Sequence, residues 1–115
     1  MIQGSLNEEL SCNFLLTTDL NLRSVSINVR GKSAVTFVPD VPLTVEPVFA
    51  KSFNAVWVPN KLALIFFNVT AADEGEYSCE VVTTGNSARM WIRKIQLLVV
   101  GKLSQLARRN VIRRV

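Results

Sequence analysis

Apolar and polar residues alternate in short runs along most of this chain, the period of strands with one buried face. Residues 24–30 set Val25, Ile27 and Val29 against Ser24, Ser26, Asn28 and Arg30. Val35 and Phe37 continue the pattern in 33–38, and Tyr77, Cys79 and Val81 carry it through 77–83. In the run 89–100, Trp91, Ile95, Leu97 and Val99 are in phase. Residues 62–67, Leu-Ala-Leu-Ile-Phe-Phe, are apolar at every position, which predicts a strand covered on both sides. Turn-forming residues separate the runs: Thr17-Thr18-Asp19, Gly31-Lys32, Pro39-Asp40-Val41-Pro42, Pro59-Asn60, and a tight hairpin at Gly85-Asn86-Ser87. Helical periodicity is absent before residue 102. Beyond it, Leu103, Leu106, Ala107 and Ile112 would suit a short amphipathic helix.

The 115 residues have room for one core, placed in 1–101. No apolar run of about 18 residues occurs, so no segment reads as a membrane span. The opening Met-Ile-Gln-Gly lacks the pattern of a signal peptide, so a secreted or anchored protein would carry signal and anchor elsewhere. The net charge of +4 is concentrated at one end. Residues 1–101 hold eight Lys/Arg and nine Asp/Glu, whereas 102–115 add Lys102, Arg108, Arg109, Arg113 and Arg114 without an acid. That distribution does not suit a folded nucleic-acid binder, which spreads basic residues over one face. It reads as a basic tail: a linker, a remnant of cloning, or an arm for acidic partners or membrane surfaces.

The chain has no His and two cysteines, Cys12 and Cys79, so no zinc ligand set exists. Both thiols are free or they pair with each other, and the strand-like flanks favour pairing. The informative stretch is 68–80, Asn-Val-Thr-Ala-Ala-Asp-Glu-Gly-Glu-Tyr-Ser-Cys-Glu. Within it Asp73, Gly75, Tyr77 and Cys79 form D-x-G-x-Y-x-C after an apolar strand. This resembles the immunoglobulin superfamily at the corner between its strands E and F. There a tyrosine two residues before the cysteine turns its hydroxyl back onto the backbone.

The resemblance implies an all-β, immunoglobulin-like V-set β-sandwich of two antiparallel sheets in Greek-key order. Leu10-Ser11-Cys12-Asn13-Phe14 is similar to strand B, whose cysteine would pair with Cys79. The separation of 67 residues fits the variable type, with 33–50 supplying extra strands. Closing such a loop stabilises a fold by ~4 kcal/mol and implies an oxidising compartment. Lys51, 22 residues before Asp73, takes the place of the basic residue that meets this aspartate in variable-like domains. Two departures stand out. The core Trp of strand C is replaced by Ile27, to be compensated by Trp57, Phe66 or Trp91. The F-G-x-G of antigen receptors is also missing, with Met90-Trp91-Ile92-Arg93-Lys94 in its place.

Function follows from the resemblance. Partners of variable-like domains most often dock on the sheet of strands G, F, C and C′, or on the loops at one end; the sheet implicates Asn28, Arg30, Phe37, Glu80, Val82, Met90 and Trp91. Phe37 and Trp91 have a core-filling alternative. Asn68-Val69-Thr70 is the only N-x-S/T sequon, either a glycan acceptor or an asparagine suited to a turn. With no His, and no free thiol if the disulfide forms, the chain reads as no enzyme, needing no cofactor, metal, small-molecule substrate or nucleic acid. The reading is an adhesion or recognition domain on the extracellular side of the plasma membrane. Across residues 1–100 its texture is similar to the cnidarian allorecognition receptors, which implies homophilic binding to a copy on an opposing cell. The alternatives are a heterophilic immune-type receptor or ligand domain, or an accessory subunit of a membrane complex.

Overall fold

The computed structural model describes residues 1–16, 20–85 and 89–101. The turn expected at 17–19, most of the hairpin turn expected at 85–87 and the stretch 102–115 therefore lie outside the described residues. Among the described residues, seven strands form two antiparallel sheets: β1 (Leu6–Asn13), β2 (Leu20–Val29), β3 (Lys32–Phe37), β4 (Phe53–Val58), β5 (Lys61–Asn68), β6 (Gly75–Gly85) and β7 (Met90–Leu97). One sheet runs β1-β5-β4 and the other β3-β2-β6-β7. Residues Met1–Gln3 add a parallel bridge, Ile2 to Val100, beyond the end of β7.

The alternating runs face their apolar members inward. Val25, Ile27, Val29, Tyr77, Cys79 and Val81 are buried against Leu10, Cys12, Leu62, Leu64 and Phe66 of the opposite sheet. Cys12 and Cys79 are joined across the layers, with Cα atoms 6.0 Å apart. Burying these side chains and constraining the unfolded chain are the two main stabilising terms. Ile27 pairs directly with Cys79, so the usual strand-C aromatic is absent beside the disulfide. Its volume is supplied from the flank. Trp57 stacks on Phe37 at 3.7 Å between ring centroids and lies 5.8 Å from Phe14. Phe53, Phe66 and Tyr77 form a second, edge-to-face cluster lower in the core.

Two expectations change here. Residues 33–50 were to supply extra strands, but only β3 forms, followed by a single bridge from Val45 to Val35 and a 3-10 turn at Pro47–Phe49. Pro39, Pro42 and Pro47 each lack the N–H that a paired strand must donate. Strand β5 is fully covered on its inner face only. Of its outward residues, Ala63 is buried and Ile65 half-buried, while Phe67 is exposed.

The corner between β5 and β6 is pinned from both sides. The Tyr77 hydroxyl donates to the Asp73 carbonyl at 2.6 Å, closing the corner from within. The Asp73 carboxylate accepts from the Thr70 N–H at 2.8 Å, capping the 3-10 turn Ala71–Asp73. No cation pairs with Asp73 among the described residues, and Lys51 is exposed, so the expected Lys51–Asp73 bridge does not form. The carboxylate is already engaged by its own turn. Arg30 supplies the external clamp instead. It sits with Gly31 in a two-residue hairpin, at φ 50° and 80°, which turns its side chain toward the corner. Its guanidinium donates to the Ala72 and Glu74 carbonyls at 3.1 and 3.0 Å. Gly75, at φ 149°, leaves room for the Arg30 stem, since a Cβ there would lie 3.1 Å from the Arg30 Cγ.

Arg30→Ala removes two charge-assisted bonds to exposed carbonyls and is expected to cost about 0.5–1.5 kcal/mol in chemical denaturation. Lys51→Ala should change stability by less than about 0.5 kcal/mol. An equal loss in both variants would refute this assignment.

Burial, with the Asp73 charge adding and Arg30 opposing, pushes the Tyr77 hydroxyl from 10.0 up to about 12. The neutral phenol is thus favoured in the folded state. Its stabilisation is complete below pH 10 and is lost as pH rises from 10 through about 12. Tyr77 is the only tyrosine, so absorbance titration reads it directly. Native protein should titrate near 12 and denatured protein near 10. Tyr77→Phe should keep the ring packing, lose about 1–2 kcal/mol, and remove this part of the alkaline destabilisation.

Candidate recognition surface

With Tyr77, Cys79 and Val81 committed to the core, strand geometry sends Ser78, Glu80 and Val82 to the outer face of the four-stranded sheet. The registers define what stands beside them. Glu80 pairs with Ser26 on one flank and Ile92 on the other, and Ser26 pairs in turn with Thr36. The next row is Ser33, Asn28, Ser78 and Lys94, and the row on the other side is Ser24, Val82 and Met90. The β2–β3 flank is small and polar, with the Ser26 and Thr36 hydroxyls 3.2 Å apart. The β6–β7 flank is apolar at Val82, Met90 and Ile92, with Met90 59% and Ile92 57% exposed. Lys94 lies 3.9 Å from Glu76, and both are well exposed. An apolar group bordered by polar residues is the composition of protein interfaces.

Of the residues expected on this face, the registers bring together Asn28, Glu80, Val82 and Met90. Three others lie elsewhere. Arg30 is bound to the β5–β6 corner. It stands four positions after Ser26, the partner of Glu80, just past the end of β2, so roughly 13 Å of chain divides the two charges. Phe37 pairs with Val25 and points inward, half-buried against Trp57. Trp91 pairs with Val81 and shares its inward phase at the sandwich edge. There it lines a cavity of about 300 Å³ with Phe14, Leu15 and Arg93. The signal that separates these residues is phase. Trp91 alternates with Ile95 and Leu97, so Ile92 and Lys94 belong with Met90 on the opposite face. Thr36, outward beside inward Phe37, follows from the same rule.

Asn68 ends β5 and is exposed, away from this face on the three-stranded sheet. The described residues contain no cluster of three His, Cys, Asp or Glu side chains and no helix long and apolar enough to cross a membrane.

No protein-family model matches the sequence, and no curated protein does. Solved structures do match. The V domain of amphioxus IgVJ-C2 is 21% identical with a TM-score of 0.67, over 86% of this chain and 96% of that one. Murine CRIg is 14% identical with a TM-score of 0.64, over 89% and 91%. A chain from work on T cell activation by the superantigen toxic shock syndrome toxin-1 is 16% identical with a TM-score of 0.66, over 86% and 90%. Together with the cross-sheet disulfide and the tyrosine-pinned corner, these likenesses show that the protein has the fold of an immunoglobulin V-type domain.

Proposed function

We propose that this domain is a recognition module on the extracellular face of a cell-surface protein, and that it binds a second copy on an opposing cell through the outward face of β3-β2-β6-β7. The observation that carries the reading is the exposed pair Met90 and Ile92 with half-buried Val82 beside them, flanked by Glu80 on β6 and Lys94 on β7. Apolar surface of this kind is excluded from water on docking. Opposite charges on adjacent strands let two copies related by a two-fold axis pair crosswise, as a self-complementary contact requires. The Cys12–Cys79 disulfide supports an oxidising, extracellular setting. A structural neighbour from work on T cell activation by a superantigen supports a protein as the partner. Homophilic contact between cells is also the role of the allorecognition receptors that the sequence resembles. An N-linked glycan on Asn68 would stand clear of the outward face.

Beads coated with the domain should clump without any added partner. Ile92→Arg and Glu80→Arg should each abolish clumping and leave the melting temperature within about 2 °C, because both side chains are outside the core. Clumping that persists in both variants, or occurs only with beads bearing another protein, would reject the homophilic face.

A further inference from the structure

Two sheet edges are open on the same side of the sandwich. Among the described residues β7 is paired along one flank, by β6, and its other flank meets Met1–Gln3 only beyond Leu97. Among the described residues strand β1 is paired along one flank, by β5. Both edges border the cavity of about 300 Å³ lined by Phe14 and Leu15, just past β1, and by Trp91 and Arg93 of β7. Leu15 is 84% exposed and Trp91 39%. An open edge flanked by apolar side chains offers unpaired N–H and C=O groups to another strand, and proteins generally cover or block such edges.

The two edges carry opposite charge. Arg93 and Lys94 of β7, with Arg89 just before it, have no acid among them, while β1 carries Glu8 and Glu9 and no base. Glu9 is held by Lys61 at 3.1 Å, but neither Glu8 nor Arg93 has an ion-pair partner among the described residues. Joining β7 to β7, or β1 to β1, would bring like charges together, which is destabilising across strands. Joining β7 to β1 brings opposite charges together. Because both edges lie on one side, a single two-fold rotation makes both contacts at once and closes the assembly at two copies. We infer that this side is a lateral self-association surface, with β7 of each copy added to β1 of the other and Trp91 and Leu15 shut between them. The bridge of Ile2 to Val100 shows that the chain continuing from β7 already accepts an added strand. The contact uses inward-phase residues and leaves the outward face of β3-β2-β6-β7 free, so it stands independently of the proposed cell–cell contact.

Sedimentation velocity of the purified domain over a wide concentration range tests it. A dimer should form at low salt and dissociate as salt rises, because the edge charges become screened. Arg93→Glu and Glu8→Lys should each weaken dimerisation by about tenfold or more. An equimolar mixture of the two should restore it, since each altered edge then meets its complement. Should either variant fold poorly, amide exchange in the unaltered protein decides: protection must grow with concentration in β1 and β7. A monomer at every concentration, exchange in these strands that ignores concentration, or a dimer indifferent to both reversals would overturn the inference. So would a dimer broken by Ile92→Arg alone, which would assign self-association to the outward face.

Discussion

Tyr77 has to reach the Asp73 carbonyl, and that requirement fixes the direction in which every later residue of β6 points. The hydroxyl reaches its acceptor only if Tyr77 faces the core, and Cys79, two residues on, then faces Cys12. Ser78, Glu80 and Val82 are left to solvent. A slip of one residue would expose the disulfide and bury a glutamate, so the surface inherits its identity from the corner. Arg30 extends the same constraint to β2, because its bonds to Ala72 and Glu74 tie the β2–β3 hairpin to the turn that Tyr77 closes. The register of β2 against β6 is thus held at its end as well as along its ladder.

Those parts of the fold governed by period-2 alternation were legible in the sequence. The inward residues of β2, β3, β6 and β7 follow from it, and the D-x-G-x-Y-x-C stretch located the corner. Strand β4 was harder to see. Phe53, Ala55 and Trp57 face inward, but the outward Val56 and Val58 are apolar too and blur the alternation. Arg30 was misplaced because it is in phase with Ser26 and Asn28 along β2. The left-handed conformation that takes it out of the sheet belongs to the Arg30-Gly31 pair, which a strand pattern does not encode. Lys51 was paired by position within a family pattern, but the Asp73 carboxylate is satisfied three residues back along its own chain. The outward face was partly legible. Met90, Val82 and Glu80 were found, whereas Phe37 and Trp91 were chosen for size when phase should have decided.

The loss of the strand-C tryptophan has a consequence for the surface. Ile27 leaves the core short of volume, and Phe37 and Trp57 turn inward to stack together, with Phe14 alongside. Phe37 is therefore committed to packing and not to the outward sheet. Burying such a ring stabilises the core, by roughly 1.5–3 kcal/mol when burial is complete and by less for the half-buried Phe37 and Trp57. What remains outward on β2 and β3 is small and polar: Ser24, Ser26, Asn28, Ser33 and Thr36. The outward face is consequently lopsided, with its apolar weight on the β6–β7 side.

That asymmetry places the exposed apolar side chains of this face on β7, and alternation divides the strand's residues between two faces. Met90, Ile92 and Lys94 stand on the outward face, while Trp91 and Arg93 stand toward the cavity at the open edge. Because a strand cannot turn one side chain without displacing its neighbours to the opposite face, the two sets are physically separate although adjacent in sequence. A protein of this size has little surface to spare, and placing both sets on one edge strand leaves the disulfide, the corner and the aromatic stack untouched. The core can then hold its register while β7 varies on either face.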